Sequence, residues 1–390
     1  MLIRHLNGYH PPWAASDALR AVSALESRTS PPGLVAYLPV YRGNPYQSLL
    51  YSALPAAGMH AAPIYDAKQA ALFADAIQGS AVDLVVHVHW LNSVTKRTRH
   101  EETARAAAKT FIQDLSRAKD HNARLLWTVH NVLPHDTRFT DVDVELRTNI
   151  ADLADRIHVM SPRTRELCAP WFDIPDGKIF VIPHPSYKGA YPNWMSREQA
   201  RLRLGIPADA VVLLLIGAIK PYKGLTELMD AFDQLTLAEP GRFVLLVAGQ
   251  PDGEEETQEF CQRAAMHPAV LSLLQKIPVE EMQVYLKAAD VGVFPYRRSL
   301  NSGALSLALT FDLPVILPMH SGEVATVEPS YAELYDPSRA DGLLTAMSNG
   351  RRFIAREARE AAAAAARRDA APKVAHKFAA ELRNWLAGSA

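Results

Sequence analysis

Lys220 and Lys223 stand three residues apart in Gly217-Ala-Ile-Lys-Pro-Tyr-Lys-Gly224, between an apolar run at 211–216 and a helical pattern at 225–232. A strand, a tight glycine exit and a helix start form the place where open α/β sheets bind ligands, at the carboxyl ends of their strands. Two ammonium groups beside a helix N-terminus, with its unpaired N–H groups and favourable dipole, suit a phosphate. A diphosphate leaving group needs such neutralisation. The same residues also fit two solvated lysines flanking a turn. The segment lacks the second and third glycines of G-x-G-x-x-G, and the chain has no P-loop, which disfavours dehydrogenase, kinase and ATPase chemistry.

A second polar loop follows the apolar run at 291–296 and leads to Ser302-Gly303-Ala304 at the start of another helix. Small residues there let backbone amides approach a phosphate; Ser302 also fits an ordinary N-cap. In the N-terminal half, Arg42-Gly-Asn44-Pro-Tyr46-Gln47 follows the first apolar run. Asn44, Tyr46 and Gln47 could bind sugar hydroxyls, with Tyr46 as a stacking platform, while Asn-Pro is also simply a turn and helix start. His87-Val-His89-Trp90 and Thr128-Val-His130-Asn131 each end a strand pattern at the same edge. Alternation puts His87 and His89 on one face, and zinc there would need a third ligand that the spacing does not supply. His130 is a candidate to polarise a donor or hold a hydroxyl, or a structural residue capping a strand. His135-Asp136 follows and offers a carboxylate base, as do several other acids. Asp141-Val-Asp143 matches a D-x-D metal motif but sits in a polar stretch before a helix pattern, so it reads as a solvated acidic helix start. No metal site and no cofactor is expected.

These groups need elements to position them. Apolar runs at 34–41, 84–89, 124–130, 156–160, 178–182, 211–216, 243–248, 291–296 and 315–317 read as strands. They alternate with helical patterns such as 102–119 and 225–235, which argues for parallel sheets covered on both faces. Proline, glycine and tyrosine cluster at 183–207 and mark a boundary near 190. Residues 1–33 read as an irregular extension, without the basic start and apolar run of a signal peptide. Residues 351–390 read as helices broken near Ala371-Pro372. The 390 residues suit two domains, and the net charge of −1 gives no bulk field for nucleic acid. Cys168 and Cys261 lack metal-ligand spacing and fit buried roles in a reducing compartment. With no membrane-length apolar run, the expected location is cytoplasmic, with peripheral contact to the inner face of a membrane through Lys96-Arg-Thr-Arg-His100 or the C-terminal arginines as a minor reading.

The segment 217–232, "GAIKPYKGLTELMDAF", resembles the donor-phosphate segment of GT-B glycosyltransferases, especially the large retaining family 4 and its relatives. Residues 243–249, Lys276-Ile277-Pro278 through Tyr285, Ala289-Asp290 and Phe311-Asp-Leu-Pro-Val-Ile match further segments in the same order. The resemblance covers most of residues 34–350. It implies an α/β GT-B fold of two Rossmann-like doubly wound parallel-sheet domains facing across a cleft. Residues 1–189 would bind the acceptor and 190–350 the nucleotide sugar, with helices over 351–390. It implies that Gly217, Lys220 and Lys223 contact the donor diphosphate, that Ser302, Gly303 and Ala304 meet it through backbone amides, and that Ile277 sits at the nucleobase. His130 matches a histidine beside the transferred sugar, and the loop of Asn44 faces the acceptor. The chain departs from family 4 at Ser299 and Leu307, where a glutamate pair is usual, and its "NSGAL" loop looks closer to polysaccharide-assembly enzymes related to inverting mannosyltransferases.

The function implied is a metal-independent hexosyltransferase that uses a UDP- or GDP-sugar and a carbohydrate or lipid-linked acceptor, in polysaccharide or glycoconjugate synthesis. The alternatives are a nucleotide-sugar epimerase of the same fold and a non-catalytic sugar-nucleotide-binding subunit.

Overall fold

The computed structural model describes residues 32–41 and 43–388. Of the extension expected at 1–33, residues 1–31 lie outside the described residues, with the signal-peptide reading of the N-terminus, and Gly33 already begins a strand. The chain divides into two compact units, Met1–Pro183 with Pro372–Ala390, and His184–Ala371.

The first unit holds a parallel sheet of β1 (Gly33–Leu38), β2 (Met59–Pro63), β3 (Asp83–Val88), β4 (Arg124–Thr128), β5 (Arg156–Val159) and β6 (Ile179–Val181). Their order is β2-β1-β3-β4-β5-β6. The order reverses direction between β1 and β3, so the loops after these two strands flank the crevice where doubly wound sheets bind ligands. β1 stops at Leu38, earlier than its apolar run suggests, because Pro39 has no N–H for the ladder. β2 was not legible, since Met59-His-Ala-Ala-Pro63 lacks β-branched residues. The final helix, Ala371–Ala387, belongs to this unit rather than to its sequence neighbours. Val374, Phe378 and Leu382 recur every fourth residue, form one stripe, and join the core with Val35, Val85 and Leu126. Pro372 is tolerated because it lies in the first turn of that helix, where its missing N–H costs nothing.

The second unit repeats the architecture with β7 (Val211–Ile216), β8 (Phe243–Ala248), β9 (Val270–Leu273), β10 (Val291–Val293), β11 (Val315–Pro318) and β12 (Ala332–Tyr335). Their order is β12-β11-β10-β7-β8-β9, and its reversal falls between β7 and β10. Every residue of β7 is buried, as expected of a strand with helices on both faces. Leu228, Met229, Phe232 and Leu235 of the helix Leu225–Ala238 pack against Leu213, Leu215 and Val247. β9 and β12 are short edge strands and escaped the apolar-run reading. Among the described residues, no helix is long and apolar enough to cross a membrane. Cys168 and Cys261 are free; burial pushes the Cys168 thiol up to about 12, which makes it a poor nucleophile.

Candidate active site

In the second unit the chain leaves β7 through Gly217 at φ +94° and re-enters the helix Leu225–Ala238 through Gly224 at φ +69°. Both conformations favour glycine. A Cβ on Gly224 would lie 2.2 Å from the Pro295 carbonyl oxygen, and one on Gly249 would lie 2.0 Å from the Gly217 oxygen. The ends of β7, β8 and β10 therefore touch backbone to backbone. Between the glycines, Pro221–Lys223 forms a 3-10 turn that folds Lys223 inward. Lys223 is only 3% exposed, and its Nζ donates to the Ile216 carbonyl at 2.9 Å. The ammonium also lies 5.5 Å from the centre of the Tyr296 ring. Burial first, and then the Lys220 charge, lower the Lys223 pKa to about 7. Lys220 is half-buried at the head of the same turn. Lys223, at least, is no solvated flank to a turn.

Across the reversal point, Ser302 caps the helix Gly303–Thr310, and its Oγ accepts from Leu305 N at 3.2 Å. The cap uses the third amide of the helix. The amides of Gly303 and Ala304 belong to the turn that no helix can satisfy internally. The loops after β7 and β10 are joined where Arg297 N donates to the Tyr222 carbonyl at 2.8 Å. The Arg297 guanidinium is held by Glu227 and Glu256, so it adds no free cation here. Ile277 is buried, so its side chain can offer a ligand little beyond its backbone.

Sequence reasoning found no carboxylate at Ser299 or Leu307, and Leu307 is a buried residue of the helix. The structure nevertheless brings one to Ser299. Ser299 Oγ donates to Glu323 at 2.8 Å and 3.1 Å, and Ser321 Oγ donates to the same carboxylate. Glu323 comes from the turn after β11, 24 residues away in the chain, and burial raises its pKa. No local pattern around Ser299 could have shown this.

In the first unit the segments after β1 and β4 carry the other candidates. Asn44 Oδ1 accepts from Tyr46 N at 2.9 Å, an Asx turn that starts the helix Tyr46–Leu50. Gln47 donates to the Pro39 carbonyl and accepts from Tyr41 N, so its amide holds the loop after β1. Tyr46 is 1% exposed, and its ring meets His130 edge-on at 5.2 Å. In this structure Tyr46 supports His130 and offers no stacking face.

His130 follows β4 and is 8% exposed. It stacks on Trp90 at 4.1 Å and shares a small crevice with Asn92, Asn131 and Arg147. His89 Nδ1 lies 2.9 Å from His130 Nε2, and Tyr51 Oη bridges His89 Nε2 at 2.6 Å and His87 Nδ1 at 2.7 Å. His87 Nε2 meets Thr128 Oγ1 at 2.7 Å, Thr128 meets His158 Nδ1 at 3.0 Å, and His158 Nε2 donates to the Ile182 carbonyl at 2.9 Å. The expectation that His87 and His89 share a face holds. Tyr51, Thr128 and His158 were missed. For Thr128 and His158 the signal was a polar residue inside an otherwise buried strand, which must find a partner; Tyr51, at the end of the helix Tyr46–Leu50, had no such signal. Burial lowers the pKa of His87 and His89 well below the usual histidine range.

Asp141-Val-Asp143 divides. Asp141 is exposed in the first turn of the helix Thr140–Leu153. Asp143 corrects the solvated reading: it is 2% exposed, accepts from Thr95 and Thr137, and lies 3.8 Å from Arg147. Burial lowers the Arg147 pKa to about 10. Asp136 pairs loosely with Lys96. Among the described residues no three His, Cys, Asp or Glu side chains are grouped to hold a metal ion.

Comparison with known proteins gives the following. Residues 196–367 match the family described as "Glycosyl transferases group 1". The GDP-mannose:glycolipid 4-beta-D-mannosyltransferase of Xanthomonas campestris pv. campestris is 27% identical over 311 residues, which span 78% of this chain and 79% of that protein. The D-inositol 3-phosphate glycosyltransferase of Corynebacterium efficiens is 28% identical over 227 residues, 55% of this chain and 53% of that protein. Among solved structures, sucrose-phosphate synthase from Thermosynechococcus elongatus superposes with a TM-score of 0.67 at 18% identity, covering 92% of this chain and all of that one. Anabaena Alr3699/HepE in complex with UDP and glucose gives 0.67 at 15% identity, covering 90% and 100%. At these identities the solved structures show the fold.

Proposed function

We propose that this chain, a glycosyltransferase of the GT-B fold with a group 1 domain over residues 196–367, moves a hexosyl group from a nucleotide-diphosphate sugar to a hydroxyl of a lipid-linked saccharide. Buried Lys223 carries the reading. A lysine folded under a glycine turn at the reversal point, with its pKa lowered by burial, is costly unless an anion completes it. A diphosphate supplies that anion. As the sugar–phosphate bond breaks, negative charge grows on the leaving group, and we assign Lys223, Lys220 and the amides of Gly303 and Ala304 to take it. We propose that these groups act without a divalent cation. Glu323, with Ser299, is the acid we assign to a hydroxyl of the donor.

The glycolipid mannosyltransferase named above, which spans most of this chain, favours GDP-mannose and a lipid-linked acceptor. We assign the acceptor to the first unit, with His130 as the group that receives the proton of the attacking hydroxyl.

The test is calorimetry and turnover with a panel of UDP- and GDP-sugars, with and without EDTA. The expected result is that GDP-mannose binds tightest and is slowly hydrolysed without acceptor, unaffected by EDTA. If no nucleotide sugar binds, the proposal fails.

A further inference from the structure

The hydrogen-bond chain behind His130 has a direction, and its far end sets that direction. His158 Nε2 lies 2.9 Å from the Ile182 carbonyl oxygen. A carbonyl only accepts, so Nε2 carries the ring proton. A second proton would charge a ring with no exposure at all, which burial opposes. His158 Nδ1 is therefore an acceptor, and the Thr128 hydroxyl donates to it. The Thr128 oxygen then accepts from His87 Nε2, which leaves His87 Nδ1 bare. Tyr51 donates to that nitrogen and accepts from His89 Nε2. His89 Nδ1 is then bare, and His130 Nε2 donates to it. One carbonyl fixes the proton on every link.

We infer that Tyr51, His87, His89, Thr128 and His158 are positioning residues that lock His130 as its Nε2–H tautomer, leaving Nδ1 as the ring's acceptor for the proton of a substrate hydroxyl. The use of that acceptor rests on the role assigned to His130 above; the lock itself does not. Burial supports the lock by keeping His87 and His89 neutral and the Tyr51 hydroxyl protonated. Phe378 seals it by stacking on His87 at 5.6 Å. The chain is not a proton wire, because it ends on an amide carbonyl that cannot take a proton onward. A proton received at Nδ1 stays on His130 as imidazolium, and its Nε2–H then donates more strongly into neutral His89.

Breaking one link removes the direction. In Thr128→Val, which keeps the side-chain shape, His87 loses its acceptor and can turn its proton toward Tyr51. The links up to His130 can then reverse together, placing the His130 proton on Nδ1. Full-length protein labelled with [15N]histidine tests this, because two-bond 1H–15N correlations separate protonated from bare ring nitrogens. The expected wild-type spectrum shows His130 protonated at Nε2 and bare at Nδ1. T128V and Tyr51→Phe shift His130 toward the other tautomer, while Thr128→Ser, which retains the hydroxyl, keeps the wild-type pattern. With GDP-mannose and acceptor, kcat falls about twofold to tenfold in T128V while the donor KM is unchanged. His130 protonated at Nδ1 in the wild type, or unshifted in both T128V and Y51F, overturns the lock. A shifted spectrum in a protein that transfers no sugar supports the lock and overturns only the role given to His130.

Discussion

The two units have related sheets and put their candidate groups beside the reversal of strand order, yet they build them from different material. In the second unit the site is backbone. Gly217, Gly224 and Gly249 let strand ends touch, and a short turn folds one lysine beneath them. In the first unit the site is side chains from three strands and their ends, with Tyr51 from the end of a helix, linked over six hydrogen bonds to one carbonyl. A backbone site is stiff and tolerates no added atom at its contacts. A side-chain network keeps its shape under isosteric change but loses its direction. Substitutions should therefore fail differently in the two units.

The largest expected difference is at the lysine. Lys223→Ala removes the charge we assign to the leaving group, so kcat/KM should fall about 10²–10³-fold, or roughly 3–4 kcal/mol. The fold should persist, since the charge is a cost to the empty unit. Steady-state kinetics beside a denaturation midpoint separate the two effects. A parallel loss of midpoint would make Lys223 a structural residue and erase the contrast.

Next is the backbone contact. Gly249→Ala places a Cβ 2.0 Å from the Gly217 oxygen, a carbonyl with no flexible end to move. It should cost on the order of 2 kcal/mol of stability and also weaken donor binding, because Gly217 opens the lysine turn. Urea unfolding and calorimetry read both. Stability unchanged at full donor affinity would show the turn to be softer than its packing suggests.

Protonation gives a third test, with opposite signs for the empty and loaded site. Free Lys223 titrates near 7 because of burial, against an ordinary value of 10.5. An anion beside it favours the ammonium and raises that value. Donor binding above pH 7 should therefore take up a proton, and affinity should fall as pH rises above about 7, by up to about tenfold per unit. The empty unit behaves oppositely. Its depressed pKa means that stability is fully present above about 10.5 and is lost as pH falls toward 7. Calorimetry of a nucleotide sugar at pH 8, in two buffers of different ionisation enthalpy, counts the proton. None should appear in Lys223→Arg.

How much of this was legible follows from the same contrast. Gly217, Lys220, Lys223 and Gly224 are local, so their spacing alone suggested a strand, a turn and an anion. Ser302 was legible as a helix start for the same reason. Glu323 was not, because its partner Ser299 is on another loop and only the order of β10 and β11 joins them. His87 and His89 were placed on one face by alternation, but Thr128 and His158 come from neighbouring strands whose pairing no local pattern fixes. Asp143 was misread because the helix start was legible and the packing of Thr95 and Thr137 over it was not. The final helix was legible as a helix, but not its stripe or the unit it joins.

The smallest effect concerns the surface, where the basic stretches also divide. Arg351, Arg352, Arg356 and Arg368 of the second unit pair with Glu239, Glu333, Glu360 and Glu328, so their charge is largely spent before any membrane is met. In the first unit Lys96, Arg97, Arg99 and His100 are all exposed, and among the described residues Lys96 alone of the four has a carboxylate partner, at 3.9 Å. If the acceptor is lipid-linked, this stretch is the better candidate to meet anionic headgroups. Each basic residue near such a surface contributes about 1 kcal/mol, screened by salt. Arg97→Gln should therefore weaken binding to vesicles containing phosphatidylglycerol about fivefold at low salt, while Arg356→Gln should change it little. Cosedimentation across a salt series measures both. Equal losses would mean that membrane contact does not distinguish the units, and no loss in either would leave acceptor capture to the site alone.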